Sequence, residues 1–214
     1  MRGRFITFEG LDGCGKTTQL ERLAERLRQA HVAVTTAREP GGTPVGEAVR
    51  RLLLDSATEK LDPVAELLLY FASRAHNVSE VILPALRAGR VVLCDRFTDA
   101  SLAYQGRGRG LGVEAVEQLD RLACRGLKPR YTILIDIDPR TSVGRAKHRN
   151  KSAPRDESRL ERESLKFFTR VREAYLEIAR HEPQRVYLVN GERAPDSVHQ
   201  EIWDLVASWG IRKS

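Results

Sequence analysis

Residues Gly10-Leu11-Asp12-Gly13-Cys14-Gly15-Lys16-Thr17 follow the pattern G-x-x-x-x-G-K-[ST], and Thr18 comes directly after. That spacing does phosphate chemistry. Glycines let the backbone curl so that successive N–H groups of residues 10–17 face a β-phosphate, assisted by the positive end of the following helix. Lys16 supplies a point charge to the β- and γ-phosphates, and the Thr17 hydroxyl is the expected Mg²⁺ ligand. About one chain in a hundred of this length matches by accident, so the flanks carry weight. Arg4–Phe8 alternates β-branched and aromatic residues, as a strand does. Leu20, Leu23, Ala24 and Leu27 recur at helical spacing with Glu21, Arg22, Glu25, Arg26 and Arg28 opposite. The loop therefore sits between a strand and a helix, as a site for a nucleoside triphosphate requires.

Four further runs read as strands: His31–Thr36, Arg90–Cys94 ending in Asp95-Arg96, Tyr131–Ile135 ending in Asp136, and Val186–Val189. The cluster Arg38-Glu39-Pro40-Gly41-Gly42-Thr43 reads as a polar turn. Asp62-Pro63 is an N-cap with proline at the first helical position, opening a helix through Leu67, Tyr70, Phe71 and Arg74. A second helical stretch, Val78 to Arg87, ends at Gly89, and Pro84 within it predicts a kink. Helices also run through Phe167–Ile178 and Val198–Trp209. Five strands alternating with helices predict a single α/β domain over 1–214: a P-loop NTPase fold, three-layered, with a doubly wound five-stranded parallel sheet and helices on both faces. Ligands then lie at the carboxyl ends of the strands, where Gly10–Thr17, Glu39, Asp95 and Arg96 fall.

The chain has 214 residues, a formal charge of +7 and a pI near 9.6. The excess is local: between Arg140 and Arg172 stand eleven Lys/Arg against four acids, a surplus equal to that of the whole chain. No aromatic lies between Arg140 and Lys166, so the stacking platform of a single-strand nucleic-acid binder is missing. A mobile basic lid over about residues 142–160, closing on polyphosphate and excluding water, is the better use. Cys14, Cys94 and Cys124 have no C-x-x-C spacing and read as free, buried thiols. With no leader and no apolar run of membrane-spanning length, the expectation is a soluble, cytoplasmic protein without membrane or nucleic-acid partners. The chain has no N-K-x-D guanine motif and no inserted motor domain, which leaves a nucleoside monophosphate kinase ahead of GTPases and motor ATPases.

Phe8–Gln19, Arg38–Thr43, Asp95-Arg96-Phe97 and Ala103-Tyr104-Gln105-Gly106, in this order and spacing, together resemble thymidylate kinases over nearly the whole chain. The resemblance implies transfer of the γ-phosphoryl group of Mg·ATP to dTMP, giving dTDP for DNA synthesis, by a homodimer. It implies that Arg96, with Arg38 or Arg50, holds the acceptor phosphate, which guanidinium forks do bidentately. Asp95 joins Thr17 at Mg²⁺, while Asp12 and Glu39 stand near the acceptor sugar and the metal. Tyr70 stacks on thymine and Arg74, four residues on and on the same helical face, reaches its O4. Ser101, Tyr104 and Gln105 line base and sugar. Tyr70 and Phe71 as core aromatics is the alternative, and Phe71 is read that way.

Gly13 stands where eukaryotic-type members carry a basic residue, and Arg145, Arg149, Arg155 and Arg159 lie in the lid, which resembles the bacterial type. Arg145 is then on the ATP side, and Arg149 and Arg159 are the first choices for contact with the transferred group. Departures are Ser158 where aspartate is commoner, Phe97 where tyrosine or histidine is usual, and extra residues around Lys147–Pro154. A kinase for another pyrimidine monophosphate, or a nucleic-acid-dependent ATPase, are the alternatives that an acceptor panel separates.

Overall fold

The computed structural model describes residues 3–58, 61–151 and 158–211. Five strands, β1 (Arg4–Glu9), β2 (Val34–Arg38), β3 (Val91–Asp95), β4 (Tyr131–Asp136) and β5 (Val186–Asn190), form one parallel sheet in the order β2-β3-β1-β4-β5. Strand residues alternate between two apolar layers: Phe5, Val92 and Cys94 face one cluster, Ile6, Phe8 and Leu93 the other. Burial of both faces is what short, near-continuous apolar runs such as Val91-Val92-Leu93-Cys94 encode. The strand order reverses beside β1, which places the crevice for ligands at its carboxyl end.

Nine α-helices accompany the sheet among the described residues: α1 (Lys16–Gln29), α2 (Pro44–Leu54), α3 (Pro63–Asn77), α4 (Leu83–Arg87), α5 (Thr98–Ser101), α6 (Gly112–Cys124), α7 (Pro139–Lys151), α8 (Leu165–His181) and α9 (Pro195–Ser208). None of them is long and apolar enough to cross a membrane. Helix α1 buries the expected Leu20, Leu23, Ala24 and Leu27. The second strand begins three residues later than its β-branched run suggests. His31, at φ 60°, takes the left-handed position after α1, its N–H bonding Arg28 O at 2.8 Å and that of Val32 bonding Leu27 O at 2.9 Å. This Schellman closure keeps His31–Ala33 out of the sheet, and a histidine occupies the place where sequence reading looks for glycine.

Asp62 caps α3, its Oδ1 accepting from Val64 N at 2.8 Å and Ala65 N at 3.2 Å. We expect Asp62→Ala to cost about 1 kcal/mol, read as a lower denaturant midpoint at unchanged slope; an unchanged midpoint would refute the cap. Pro84 does not end the helix. A π-helical turn, Val78–Ile82, comes directly before α4, so the missing N–H of Pro84 falls where the hydrogen-bond register is already changing. A second π-helical segment, Leu102–Gly108, follows α5 and carries Tyr104 and Gln105.

Candidate active site

Loop 10–15 leaves β1 and enters α1 with Gly10, Gly13 and Gly15 at φ 134°, 74° and 96°, all in the left-handed half of the map. At Gly10 a Cβ would stand 2.3 Å from Ile135 O; at Gly13 it would stand 2.9 Å from Ser142 O and from Arg145 Cβ. Helix α7 thus packs directly on the loop, and Ser142 Oγ donates to Asp12 O at 2.6 Å. A basic side chain at position 13 has no room, and the cations arrive from α7 instead. Leu11 and Cys14 turn their side chains into the core, Cys14 Sγ still accepting from Lys16 Nζ at 3.7 Å.

Lys16 is 6% exposed, and Nζ donates to Gly10 O at 3.1 Å and Leu11 O at 2.8 Å. Thr17 Oγ1 donates to Asp95 Oδ2 at 2.5 Å, bringing the two expected metal ligands together from α1 and β3. Among the described residues no cluster of three or more His, Cys, Asp or Glu could hold an ion alone. One carboxylate and one hydroxyl nevertheless fit Mg²⁺, which keeps waters and takes phosphate oxygens for the rest of its shell.

Arg96 stands just past β3 at φ 70°, a left-handed conformation that costs a non-glycine residue about 1–2 kcal/mol. Its Nη2 donates to Asp12 Oδ1 at 2.9 Å and Tyr104 Oη at 3.2 Å, and its Nη1 to Tyr175 Oη at 3.1 Å. Burial pushes the Asp12 carboxyl up, but Arg96, Lys16 and Arg149 outweigh it and hold the group at about 2. Asp12 is therefore a carboxylate at any physiological pH.

Helix α3 presents Tyr70 and Arg74 to the same space. Arg74 is 1% exposed; Nε donates to Glu39 Oε2 at 2.5 Å, Nη2 to Phe97 O and Ser101 Oγ at 3.0 Å each. Burial would lower the guanidinium's affinity for its proton, and Glu39 more than reverses that. Its Nη1 is buried and has no hydrogen-bond partner among the described residues. Phe71 packs in the core beneath, with the Arg74 guanidinium 4.5 Å above its ring.

These groups line one cavity of about 1200 Å³. It runs from Asp12, Gly13, Gly15, Lys16, Thr17 and Thr18, past Asp95 and Arg96, to Arg38, Glu39, Arg50, Tyr70 and Arg74, with Ser101, Tyr104 and Gln105 on its floor and Arg145 and Arg149 above. Such a volume exceeds an ordinary single-ligand pocket. Arg38 is held over it by Glu47 at 2.8 Å, and Arg50 donates Nη1 to Pro40 O at 3.0 Å.

Arg159 departs from its expected role. Only 9% exposed, it donates Nη2 to Glu66 Oε2 at 2.8 Å and Nε to Leu53 O, so it ties the turn Arg159–Arg162 to α2 and α3 instead of reaching the loop. Arg155 lies outside the described residues. Glu66, which sequence reading missed, is a buried hub that also accepts from Gln105 and Arg109. Its helical position on α3, one turn before Tyr70, was the available signal; its partners, up to 93 residues away, were not.

Fold and cavity together define a phosphate-loop nucleotide-binding protein. The family model described as thymidylate kinase matches residues 8–202. The thymidylate kinase of Pelobacter propionicus is 50% identical over 202 residues, covering 94% of this chain and 92% of that protein. That of Deinococcus radiodurans is 48% identical, covering 98% of each chain. The crystal structure of thymidylate kinase from Ehrlichia chaffeensis superposes with a TM-score of 0.78 at 33% identity, covering 95% of this chain and 98% of that one. The chain belongs to the thymidylate kinase family.

Proposed function

We propose that the chain transfers the γ-phosphoryl group of ATP to dTMP, with loop 10–17 and α7 forming the donor half of the cavity and α3, Arg96 and residues 101–105 the acceptor half. The observation that carries the acceptor assignment is at Arg74, which lines the cavity beside Tyr70 and whose buried Nη1 has no hydrogen-bond partner among the described residues. An unmade buried hydrogen bond costs about 1–3 kcal/mol, and a pyrimidine carbonyl such as thymine O4 removes that cost. Tyr70 supplies the stacking face, and the Tyr104 ring, closing the sugar side, disfavours a ribose 2′-hydroxyl.

Phosphoryl transfer passes through a loose transition state whose charge sits on peripheral oxygens, so fixed cations carry most of the catalysis. Lys16, Arg96 and Arg149 are the cations we assign to that charge, with Arg38 and Arg50 beside the acceptor phosphate and Arg145 on the ATP side. Asp12 orients Arg96 and stands near the acceptor sugar with Glu39. Thr17 and Asp95 would hold Mg²⁺, which supplies charge neutralisation on the donor phosphates when bound. The basic excess reaches this cavity at Arg145 and Arg149, which supports its use on polyphosphate and not on nucleic acid. Exposed Leu52 on α2 and Val64 and Leu68 on the adjoining α3 support a homodimer. Three free, buried cysteines are in keeping with a reducing, cytoplasmic setting.

The test is ADP release from Mg·ATP with dTMP, dUMP, the ribonucleotide TMP, dCMP, dGMP and AMP at matched concentrations. We expect dTMP to lead by at least about tenfold. Turnover led by another monophosphate would refute the roles of Tyr70, Arg74 and Tyr104. Hydrolysis indifferent to every acceptor would refute the kinase.

A further inference from the structure

Beneath the cavity, at the end of β1, lies a carboxyl group that no nucleotide can reach. Glu9 is fully buried, at 0% exposure. Its Oε1 accepts from Phe97 N at 2.7 Å, and its Oε2 is 2.9 Å from Tyr175 Oη on α8. Both partners act on the residue between them. Phe97 N belongs to the peptide that follows Arg96, and Tyr175 Oη receives Arg96 Nη1 at 3.1 Å. One carboxyl group thus holds the backbone of Arg96 on one side and its guanidinium on the other. This is the residue whose left-handed φ of 70° needs an external restraint.

We propose that Glu9 is a positioning residue for the acceptor phosphate, acting through Phe97 N–H and Tyr175 Oη to fix Arg96 in its strained, cavity-facing conformation. The proposal rests on the reading of Arg96 as the acceptor-phosphate ligand and adds to it what keeps that ligand in place.

The protonation state of Glu9 decides how much of the Arg96 charge is left for phosphate. Burial first, then Asp99 on α5, push the Glu9 carboxyl up to about 8, against the opposing pull of Arg96 and the bonds from Tyr175 and Phe97 N. The Cys94 thiol on β3 also faces it and is itself driven up by burial, so it stays neutral. Asp99 is paired with Arg185 at 2.8 Å. At neutral pH Glu9 therefore carries its proton, and Arg96 has one full counter-charge, Asp12. The neutral acid group still accepts from Phe97 N through Oε1 and from Tyr175 Oη through Oε2. Ionisation above pH 8 sets a second anion against Arg96 and weakens its hold on a dianionic phosphate.

The experiment is steady-state kinetics of the full chain from pH 6.5 to 9.5, with KM for dTMP and for ATP measured separately, on the parent, Glu9→Ala, Glu9→Gln, Tyr175→Phe and Arg96→Lys. We expect Glu9→Ala and Tyr175→Phe to raise KM for dTMP by about tenfold at pH 7, with KM for ATP within about twofold. Glu9→Gln, a permanently neutral isostere, keeps KM for dTMP within about threefold of the parent at pH 7 and lacks the parent's rise above pH 8. If Glu9→Ala fails to fold, Tyr175→Phe, which removes one hydroxyl, decides the point alone. Parental KM for dTMP in Tyr175→Phe, equal increases for both substrates, or a Glu9→Gln pH profile that matches the parent would overturn the proposal. Arg96→Lys separates the two levels: an unchanged KM for dTMP there sinks the acceptor-phosphate reading itself. A raised KM in Arg96→Lys with parental behaviour in Tyr175→Phe and Glu9→Ala sinks only the role of Glu9.

Discussion

A Lys16→Ala protein is expected to turn over at about one-thousandth of the parental rate or less, a loss of about 4 kcal/mol of transition-state stabilisation. The magnitude follows from where the charge sits. Nζ is buried against Gly10 O and Leu11 O, at the mouth of a ring of loop N–H groups, in a place from which water is largely excluded. A cation there interacts with phosphate charge in a medium of low effective dielectric, and no neighbouring group can take its position, since Arg96 is committed to Asp12 and Tyr104. The fold survives the change. Helix α1 is held by the buried Leu20, Leu23, Ala24 and Leu27, whose core contacts the substitution leaves in place. Turnover within tenfold of the parent, in protein whose denaturant midpoint is unchanged, would remove the phosphate-loop assignment.

What sequence reading captured here was local. Eight consecutive residues, Gly10–Thr17, specify the loop, and Tyr70 and Arg74 share a helical face because four residues make about one turn. Strand ends were legible to within a residue or so wherever an apolar run stopped at a carboxylate, as at Asp95 and Asp136. The start of β2 was not, because a histidine closes α1 in the conformation usually given to glycine. Arg159 was assigned by its neighbours in the chain, whereas its position is set by Glu66 on a different helix. Glu9 was legible only as the residue between the strand Arg4–Phe8 and the loop: its partner Tyr175 is 166 positions away, and no periodicity links the two. Spacing reports which side chains share a face, and the pairing of faces comes from how α3, α8 and the turn Arg159–Arg162 pack together.

Arg74 is the residue at which binding and stability are most tightly joined, and two substitutions are needed to separate them. Arg74→Ala leaves Glu39 buried at 2% exposure without its cation. Loss of one partner of such a pair costs about 3–5 kcal/mol, so this variant is expected to lose stability as well as activity. Arg74→Lys retains a cation for Glu39 but cannot also span Phe97 O, Ser101 Oγ and the unpartnered Nη1 position, since an ammonium is a point and not a planar fork. We therefore expect Arg74→Lys to unfold near the parental midpoint and to lose about a hundredfold in kcat/KM for dTMP, about 2.7 kcal/mol. KM for ATP should stay within about threefold, because Arg74 makes none of its hydrogen bonds to loop 10–17. If kcat/KM for dTMP falls by less than about threefold, less than 1 kcal/mol, Arg74 does not read the base, and the orphaned Nη1 needs another partner. If instead both substrates are affected alike, the buried Arg74–Glu39 pair serves the architecture of the Glu39–Gly42 turn, whose Gly41 N–H already relies on Ser73 Oγ from the same helix at 3.0 Å.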